Sequence, residues 1–248
     1  MYKMTSTKSK VYLIPTFLDE ASTHVIPSYV LDAIKDCQVF FVENERSARR
    51  YLKLLWKEIV IDSYRWYVID KHASGLTKDT ETNRAFKQIL REEKNVGIIS
   101  EAGCPGVADP GQLLVEIAHQ AGASVKPLVG PSSILLAIMG SGMNGQQFQF
   151  VGYLPIDNMH RAKAIKELEQ ESSRKNCTQV FIETPYRNNQ LLEMLLKTCH
   201  PGTRLCLAVN LTASNEFIHT KSIADWKKQV PDIHKQPAIF LIHSLQGI

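Results

Sequence analysis

The sequence predicts an α/β fold of two α/β domains, with a mostly parallel sheet in the N-terminal half and a mixed sheet in the C-terminal half. Up to residue 139, short apolar runs alternate with helical segments, which is typical of βαβ units. A polar stretch with two glycines at residues 141–147 then predicts a boundary, giving domains at residues 1–143 and 144–248. Beyond it, strands joined directly by short loops indicate an antiparallel component.

Each predicted strand of the N-terminal half is a short apolar run, and the first ends at Pro15. Pro27 suits the first turn of one helix, and Gly122 suits the C-terminal end of another. Strands are predicted at residues 11–15, 39–43, 58–62, 66–69, 96–99 and 125–129, and helices at 27–35, 46–56, 79–93, 113–121 and 134–139.

In the C-terminal half, Thr184 and Pro185 predict a helix start, because threonine caps helices and proline favours their first turn. The segment at residues 160–172 carries paired opposite charges, which indicates a solvated helix. Strands are predicted at residues 148–152, 178–183, 204–209, 216–220 and 238–243, with a further short helix at 222–229.

Composition restricts the functional classes. The formal charge of +4 permits an anionic partner without demanding one. No apolar run approaches the roughly 20 residues that span a bilayer, so we expect no membrane partner. Five cysteines without a CxxC pair predict reduced thiols in a cytoplasmic protein. The eight histidines lack the spacing of metal ligands, so no metal site is predicted.

The loop at residues 100–111 is the strongest candidate for a binding site, because it joins a buried strand to a helix and holds three glycines and two prolines. Glycine lets backbone approach a ligand, proline stiffens the loop, and open α/β sheets bind ligands at such strand ends. An ordinary strand–helix connection is the alternative. Glu101 and Asp109 without a lysine do not match a triphosphate cradle, but suit ribose hydroxyls or a cationic centre, as in S-adenosylmethionine.

Three further loops could join it in a cleft, at residues 130–133, 152–155 and 183–187. Ser132 and Ser133 open a helix, whose N-terminal N–H groups suit a carboxylate or phosphate. An ordinary serine N-cap is the competing interpretation.

Several ordered motifs resemble the tetrapyrrole (corrin/porphyrin) methylase superfamily, closest to its branch that methylates a ribose 2′-hydroxyl of bacterial small-subunit ribosomal RNA. Ser-Glu-Ala-Gly-Cys-Pro at residues 100–105, with Asp-Pro-Gly at 109–111, is similar to the family's Ser-Asp-Ala-Gly-Thr-Pro and Asp-Pro-Gly. Gly-Pro-Ser-Ser at 130–133, Gly-Tyr-Leu-Pro at 152–155, Glu-Thr-Pro-Tyr-Arg at 183–187 and, more weakly, Ala-Val-Asn-Leu-Thr at 208–212 resemble further family segments.

The resemblance implies a methyltransferase, usually a homodimer, that folds S-adenosylmethionine into a cleft between its two α/β domains. Its acceptor would be RNA of the small ribosomal subunit, a cytoplasmic partner. Carried over by position, the cofactor contacts would be Ser100, Glu101, Ala102, Gly103, Val107, Ala108, Ser132, Ser133, Leu154, Glu183, Thr184, Asn210, Leu211, Pro237 and Ala238.

The departures from the family pattern lie in the N-terminal half, where the acceptor is expected. Pro-Thr-Phe-Leu-Asp-Glu at residues 15–20 replaces Pro-Thr-Pro-Ile-Gly-Asn, so the loop from Phe17 to Glu20 is altered. Val-Glu-Asn-Glu-Arg at 42–46 replaces Ala-Glu-Asp-Thr-Arg, and only His72 remains of a His-rich segment. Two alternatives therefore stay open beside RNA methylation: C-methylation of a tetrapyrrole, and a relative that binds the cofactor without catalysis.

The catalytic residues are not assigned from the sequence. A ribose hydroxyl needs a group that takes its proton, and the carboxylate and imidazole candidates near predicted strand ends are Glu43, His72, Glu101 and Glu183. Arg46, Arg161 and Arg187 are candidates for holding RNA phosphates, with plain surface charge as the alternative.

Overall fold

A computed structural model describes residues 9–69 and 80–244 of the chain. The chain divides into two compact units, Met1–Pro131 and Ser132–Ile248. The division falls before the helix at Ser133–Ser141, whereas the sequence places it after residue 143. The reason is the apolar character of that helix, which packs against three strands of the second unit.

Strands and helices alternate through most of the described chain. The strands are β1 Lys10–Ile14, β2 Val39–Val42, β3 Arg65–Val68, β4 Val96–Ile99, β5 Ser124–Pro127, β6 Phe148–Tyr153, β7 Thr178–Ile182, β8 Arg204–Val209, β9 Phe217–Ser222 and β10 Ala238–His243. The helices are α1 Val30–Asp36, α2 Glu45–Leu55, α3 Glu81–Arg91, α4 Gln112–Gln120, α5 Ser133–Ser141, α6 Asn158–Lys175, α7 Asn188–Thr198 and α8 Ile223–Trp226.

The first unit contains a parallel five-stranded sheet in the order β3-β2-β4-β1-β5, as predicted. Neighbouring residues of a strand face opposite sides, so Phe40 packs with α1 and α2 while Phe41 packs with α3 and α4. The chain therefore leaves β1 toward one face of the sheet and leaves β4 toward the other. The adjacent strands β1 and β4 flank a topological switch point.

The second unit contains a mixed sheet in the order β6-β7-β10-β8-β9, which confirms the predicted antiparallel component. β10 runs antiparallel to β7 and β8, and β6 runs parallel to β7. The carboxyl ends of β6, β7 and β8 consequently share one edge with the amino end of β10. Phe181 and Phe240 stack at 5.9 Å in the core beneath that edge.

One predicted strand is wrong. Residues 58–62 lead into a 3-10 turn at Ile61–Ser63. The carbonyl of Ile59 accepts the Lys53 ammonium at 2.6 Å, and the carbonyl of Ile61 accepts the Trp66 indole N–H at 3.1 Å. These side-chain bonds occupy the carbonyls that a strand would use, and the neighbouring strand β3 forms at 65–68 instead.

Three helix starts also differ from prediction by two residues or more. α1 begins at Val30 instead of Pro27, because residues 28–29 form a turn in which the Val30 N–H donates to the Pro27 carbonyl at 3.0 Å. α7 begins at Asn188 after a 3-10 turn at Pro185–Arg187, and α6 begins at Asn158 because Asp157 Oδ1 accepts the His160 N–H at 2.9 Å. The predicted start of α3 at Asp79 lies outside the described residues. Among the helices that are described, none has the length and apolar content to cross a membrane.

Candidate functional site

The loop after β4 is held in place by hydrogen bonds within the first unit. The Ser100 hydroxyl donates to the Gly103 carbonyl at 3.2 Å, and the same carbonyl accepts the Thr16 N–H at 2.9 Å. Gly103 has a φ of +73°, and a Cβ there would lie 3.3 Å from the carbonyl oxygen of Pro131. Backbone conformation and space therefore both favour glycine at this position.

Asp109 fixes the second half of the loop. Its Oδ1 accepts the N–H groups of Gly106 at 2.9 Å and of Gly111 at 2.7 Å. Burial raises the pKa of Asp109, and the two N–H groups oppose that rise. Ala108 is held at a φ of 58°, which is uncommon for a residue with a side chain, and both it and Val107 are exposed.

A cavity of about 160 Å³ opens at the carboxyl edge of the first sheet, at the switch point between β1 and β4. Its walls come from the segment after β1, from α2 and from the loop after β4. They include Phe17, Leu18, Glu20, Arg50, Tyr51 and Glu101. The loop altered relative to the family pattern thus forms one wall of this cavity.

Aromatic and charged contacts shape the cavity. Phe17 meets the Tyr51 ring edge-on at 5.4 Å, and the Tyr51 hydroxyl donates to the Pro15 carbonyl. Burial raises the pKa of Tyr51, so this phenol stays neutral and serves as a donor. Arg50 pairs with Glu20 at 2.6 Å through two largely exposed side chains.

Two of the predicted proton acceptors lie at this edge. Glu43 follows β2, and its Oε1 accepts the backbone N–H of Glu101 at 3.0 Å. Glu101 is exposed and lines the cavity. A third candidate, His72, lies outside the described residues.

The predicted contacts of the second unit gather along one edge of its sheet. Leu154 follows β6, Glu183 and Thr184 follow β7, Asn210 and Leu211 follow β8, and Pro237 and Ala238 stand at the start of β10. The Asn210 N–H donates to the Pro237 carbonyl at 2.9 Å, and the Asn210 amide donates to Gln236 at 2.7 Å.

Asn210 has a φ of 51°, a conformation that asparagine tolerates better than most residues. The turn after β8 is therefore fixed by backbone and side chain together.

Glu183 is the buried centre of this edge, 5% exposed. Its Oε1 accepts the Thr184 N–H at 2.7 Å and two guanidinium bonds from Arg187 at 2.6 and 3.0 Å. Its Oε2 lies 3.4 Å from an Arg161 nitrogen and has no hydrogen-bond partner among the residues described. This carboxylate is an anchor for two arginines, which disfavours it as a freely accessible proton acceptor.

Arg161 does not present its charge to solvent as a phosphate-holding residue would. Its side chain is 2% exposed, and its guanidinium donates to the carbonyls of Pro155 at 2.8 Å and Ile156 at 3.1 Å. The mixed charges of α6 concealed this burial in the sequence. The sequence did offer one sign of this burial: the predicted strand at 178–183 ends in Glu183, and a buried carboxylate needs a cationic partner.

Ser132 acts as the N-cap of α5, with its hydroxyl accepting the Leu135 N–H at 3.5 Å. Ser132 therefore has the geometry of an N-cap. Ser133 is the first residue of the helix and is half-buried. A ligand role for either serine remains a prediction.

Comparison with known proteins gives a consistent family. The sequence model of the tetrapyrrole (corrin/porphyrin) methylases matches residues 25–226. The chain is 25% identical over 240 residues to "Ribosomal RNA small subunit methyltransferase I" of Escherichia coli O157:H7, covering 96% of this chain and 78% of that protein. The Vibrio cholerae protein of the same name is 26% identical over 244 residues, covering 94% of this chain and 76% of its own length.

Among solved structures, uroporphyrin-III C-methyl transferase from Thermus thermophilus, complexed with S-adenosyl homocysteine, shares the fold at a TM-score of 0.53. It is 16% identical, and the match covers 95% of this chain and 97% of that one. With four fifths of its length matched by the family's sequence model and the same fold in a solved structure, this chain belongs to the tetrapyrrole (corrin/porphyrin) methylases.

Proposed function

We propose that this chain is an S-adenosylmethionine-dependent methyltransferase that methylates a ribose 2′-hydroxyl in RNA of the small ribosomal subunit. The observation that carries the proposal is the position of the family-like motifs at the carboxyl ends of strands. One motif forms the loop after β4 in the first sheet, and others form the turns after β6, β7 and β8 in the second. The two bacterial relatives, both named as small-subunit ribosomal RNA methyltransferases, support RNA as the acceptor.

Residues of both units would hold the cofactor. In the first unit they are Ser100, Glu101, Ala102, Gly103, Val107 and Ala108. In the second they are Ser132, Ser133, Leu154, Glu183, Thr184, Asn210, Leu211, Pro237 and Ala238.

The chemistry of these residues fits a nucleoside with a cationic centre. Glu101 offers an exposed carboxylate, while Ala102, Val107 and Ala108 offer exposed apolar surface beside it. In the second unit, Glu183 is paired with Arg161 and Arg187 and so braces the edge where the motifs gather. Acidic groups suit hydroxyls and positive charge, and apolar groups suit a purine ring.

When bound, the cofactor supplies a methyl group that its sulfonium charge already activates. The protein's task is then to align the acceptor hydroxyl, exclude water and take one proton. Of the described candidates, Glu43 and Glu101 are the carboxylates best placed to accept that proton. Glu101 lines the cavity, and Glu43 lies beside it, accepting the backbone N–H of Glu101.

The departures from the family pattern are compatible with activity. Asn44 replaces the family's aspartate and still caps α2, with Oδ1 accepting the N–H groups of Arg46 at 3.0 Å and Ser47 at 3.2 Å. Phe17 and Glu20 form an intact cavity wall through their contacts with Tyr51 and Arg50. We therefore favour an active enzyme over a non-catalytic relative.

We also propose that the chain works as a homodimer in the cytoplasm. Large apolar side chains that stand exposed in the second unit support self-association, among them Met139 at 77%, Ile156 at 69% and Met159 at 73%. All five cysteines are free thiols, four of them buried, which suits a reducing compartment. Light scattering of the purified protein tests the subunit number.

The decisive experiment supplies labelled cofactor and purified protein to small ribosomal subunits from a strain that lacks this protein. We expect label in small-subunit RNA, at a ribose that resists alkaline cleavage. Label in a tetrapyrrole precursor but not in RNA would support the alternative acceptor. Absence of label from both would contradict a methyltransferase.

A further inference from the structure

Helix α2 carries a row of exposed cations. Arg46, Arg50 and Lys53 follow one another at intervals of four and three residues, which places them on one face of α2. Lys57 follows just beyond the end of the helix at Leu55. All four side chains are exposed. We call these four residues the α2 cationic stripe.

The stripe lies opposite the packed side of the helix. Ala48, Tyr51 and Leu52 are buried against the first sheet. At 3.6 residues per turn, they lie on the side of α2 opposite Arg46, Arg50 and Lys53. The cations are therefore not needed to form the core.

Little acidic charge compensates the stripe. Arg46 and Lys57 have no ion pair with any described residue, and Lys53 donates to the backbone carbonyls of Lys57 and Ile59. Within the part of the chain that the structure describes, Arg50 is the one member of the stripe with an ion pair, to Glu20.

Arg49 is the remaining cation of α2, and its charge is already used. It pairs with Glu45 at 2.6 Å and with Asp62 at 3.6 Å, and it lies over the Trp66 ring at 5.3 Å. The uncompensated positive charge of this helix is thus concentrated on the stripe.

The stripe reaches the cavity through Arg50, which lines it together with Ser47 and Tyr51 from the same helix. At 1.5 Å per residue, the helical part of the stripe from Arg46 to Lys53 extends over about 11 Å, and Lys57 continues it past the helix end. An extended array of this kind matches a chain of phosphates better than a single anion. We propose that the α2 cationic stripe binds the phosphodiester backbone of the RNA substrate and guides it to the cavity. This inference rests on the proposed function.

The test compares two triple variants with the unmodified protein. Arg46→Gln/Lys53→Gln/Lys57→Gln removes three charges of the stripe and leaves Arg50, which lines the cavity. The matched control, Lys166→Gln/Lys197→Gln/Lys227→Gln, removes three exposed cations of the second unit. Methyl transfer to small ribosomal subunits is measured over a range of salt concentrations, and cofactor affinity is measured separately by calorimetry.

We expect the stripe variant to raise the KM for ribosomal subunits at least ~10-fold at 150 mM salt and to reduce the salt slope of log KM by about 2. Its cofactor Kd and kcat should stay within about twofold, and the control should resemble the unmodified protein. The charge-conserving variant Arg46→Lys/Lys53→Arg/Lys57→Arg should restore RNA affinity. If the glutamine triple variant fails to fold, Lys57→Gln alone should reduce the slope by about 0.7.

Equal KM and slope in the stripe variant and the unmodified protein would overturn the inference, as would a larger loss in the control. Absence of methyl transfer to RNA by the unmodified protein would instead contradict the proposed function. The two failures are therefore distinguishable.

Discussion

The buried contact between Arg161 and Glu183 makes a quantitative prediction about the second unit. Both side chains are nearly inaccessible, at 2% and 1% exposure, and the nearest nitrogen and oxygen are 3.4 Å apart. Arg161→Met keeps apolar bulk but removes the charge and the donors to the carbonyls of Pro155 and Ile156. Breaking a buried pair from one side typically costs about 3–5 kcal/mol.

We expect Arg161→Met to lower the free energy of unfolding by an amount within that range. Glu183 retains Arg187, which limits the electrostatic loss, while the two carbonyls lose their donor, at about 1–3 kcal/mol for each one that water does not reach. Replacing both partners, as in Arg161→Met/Glu183→Leu, should recover part of the loss because no unpaired charge of the pair remains.

Urea unfolding followed by Trp226 fluorescence measures this effect. Trp226 is 3% exposed in the second unit, and Trp56→Phe/Trp66→Phe removes the signal of the first unit. Lys163→Met on the exposed side of α6 is the matched control and should change stability by less than about 0.5 kcal/mol. A loss below about 1 kcal/mol for Arg161→Met would refute the reasoning.

Three further predictions concern the loops and the sheet ends. Asp109→Ala should cost about 2–4 kcal/mol by orphaning two N–H groups, whereas Asp109→Asn should cost less than about 1 kcal/mol because it keeps the acceptor; chemical denaturation distinguishes them. Gly130→Ala should destabilise the first unit in thermal unfolding, since its Cβ would lie 2.1 Å from the Pro15 Cβ. Burial and the Arg204 charge lower the pKa of His243 below its ordinary 6.5, so stability should fall as pH drops from 7 toward 5, and His243→Gln should flatten that dependence.

The sequence predicted elements where local chemistry and packing agree. The run at 96–99, Val-Gly-Ile-Ile, contains no polar side chain, and all four residues are buried in β4. Its Gly97 sits under Phe40, where a Cβ would lie 2.6 Å from the ring, so the sheet needs glycine there. The loop that follows was recognisable because its glycines and prolines directly determine backbone conformation.

What the sequence concealed depends on contacts between distant residues. Arg161 sits in a charged helix, and its burial is decided by Glu183, which lies in a different element. The strand predicted at 58–62 fails because Lys53 and Trp66 bond its carbonyls. The cavity at the switch point likewise combines segments after β1 and β4 with α2, which no local pattern joins.

Calorimetric titration with S-adenosylmethionine tests the central claim, that residues of both units hold one cofactor. Ala102→Leu and Thr184→Leu add bulk at one predicted contact in each unit, and neither original side chain makes a hydrogen bond that the structure records. Ala224→Leu, on an exposed position of α8 and outside the predicted contacts, is the control. We predict one site per chain, with affinity at least ~10-fold weaker in both bulky variants and unchanged in the control. Undiminished affinity in either bulky variant, or no binding by the unmodified protein, would contradict it.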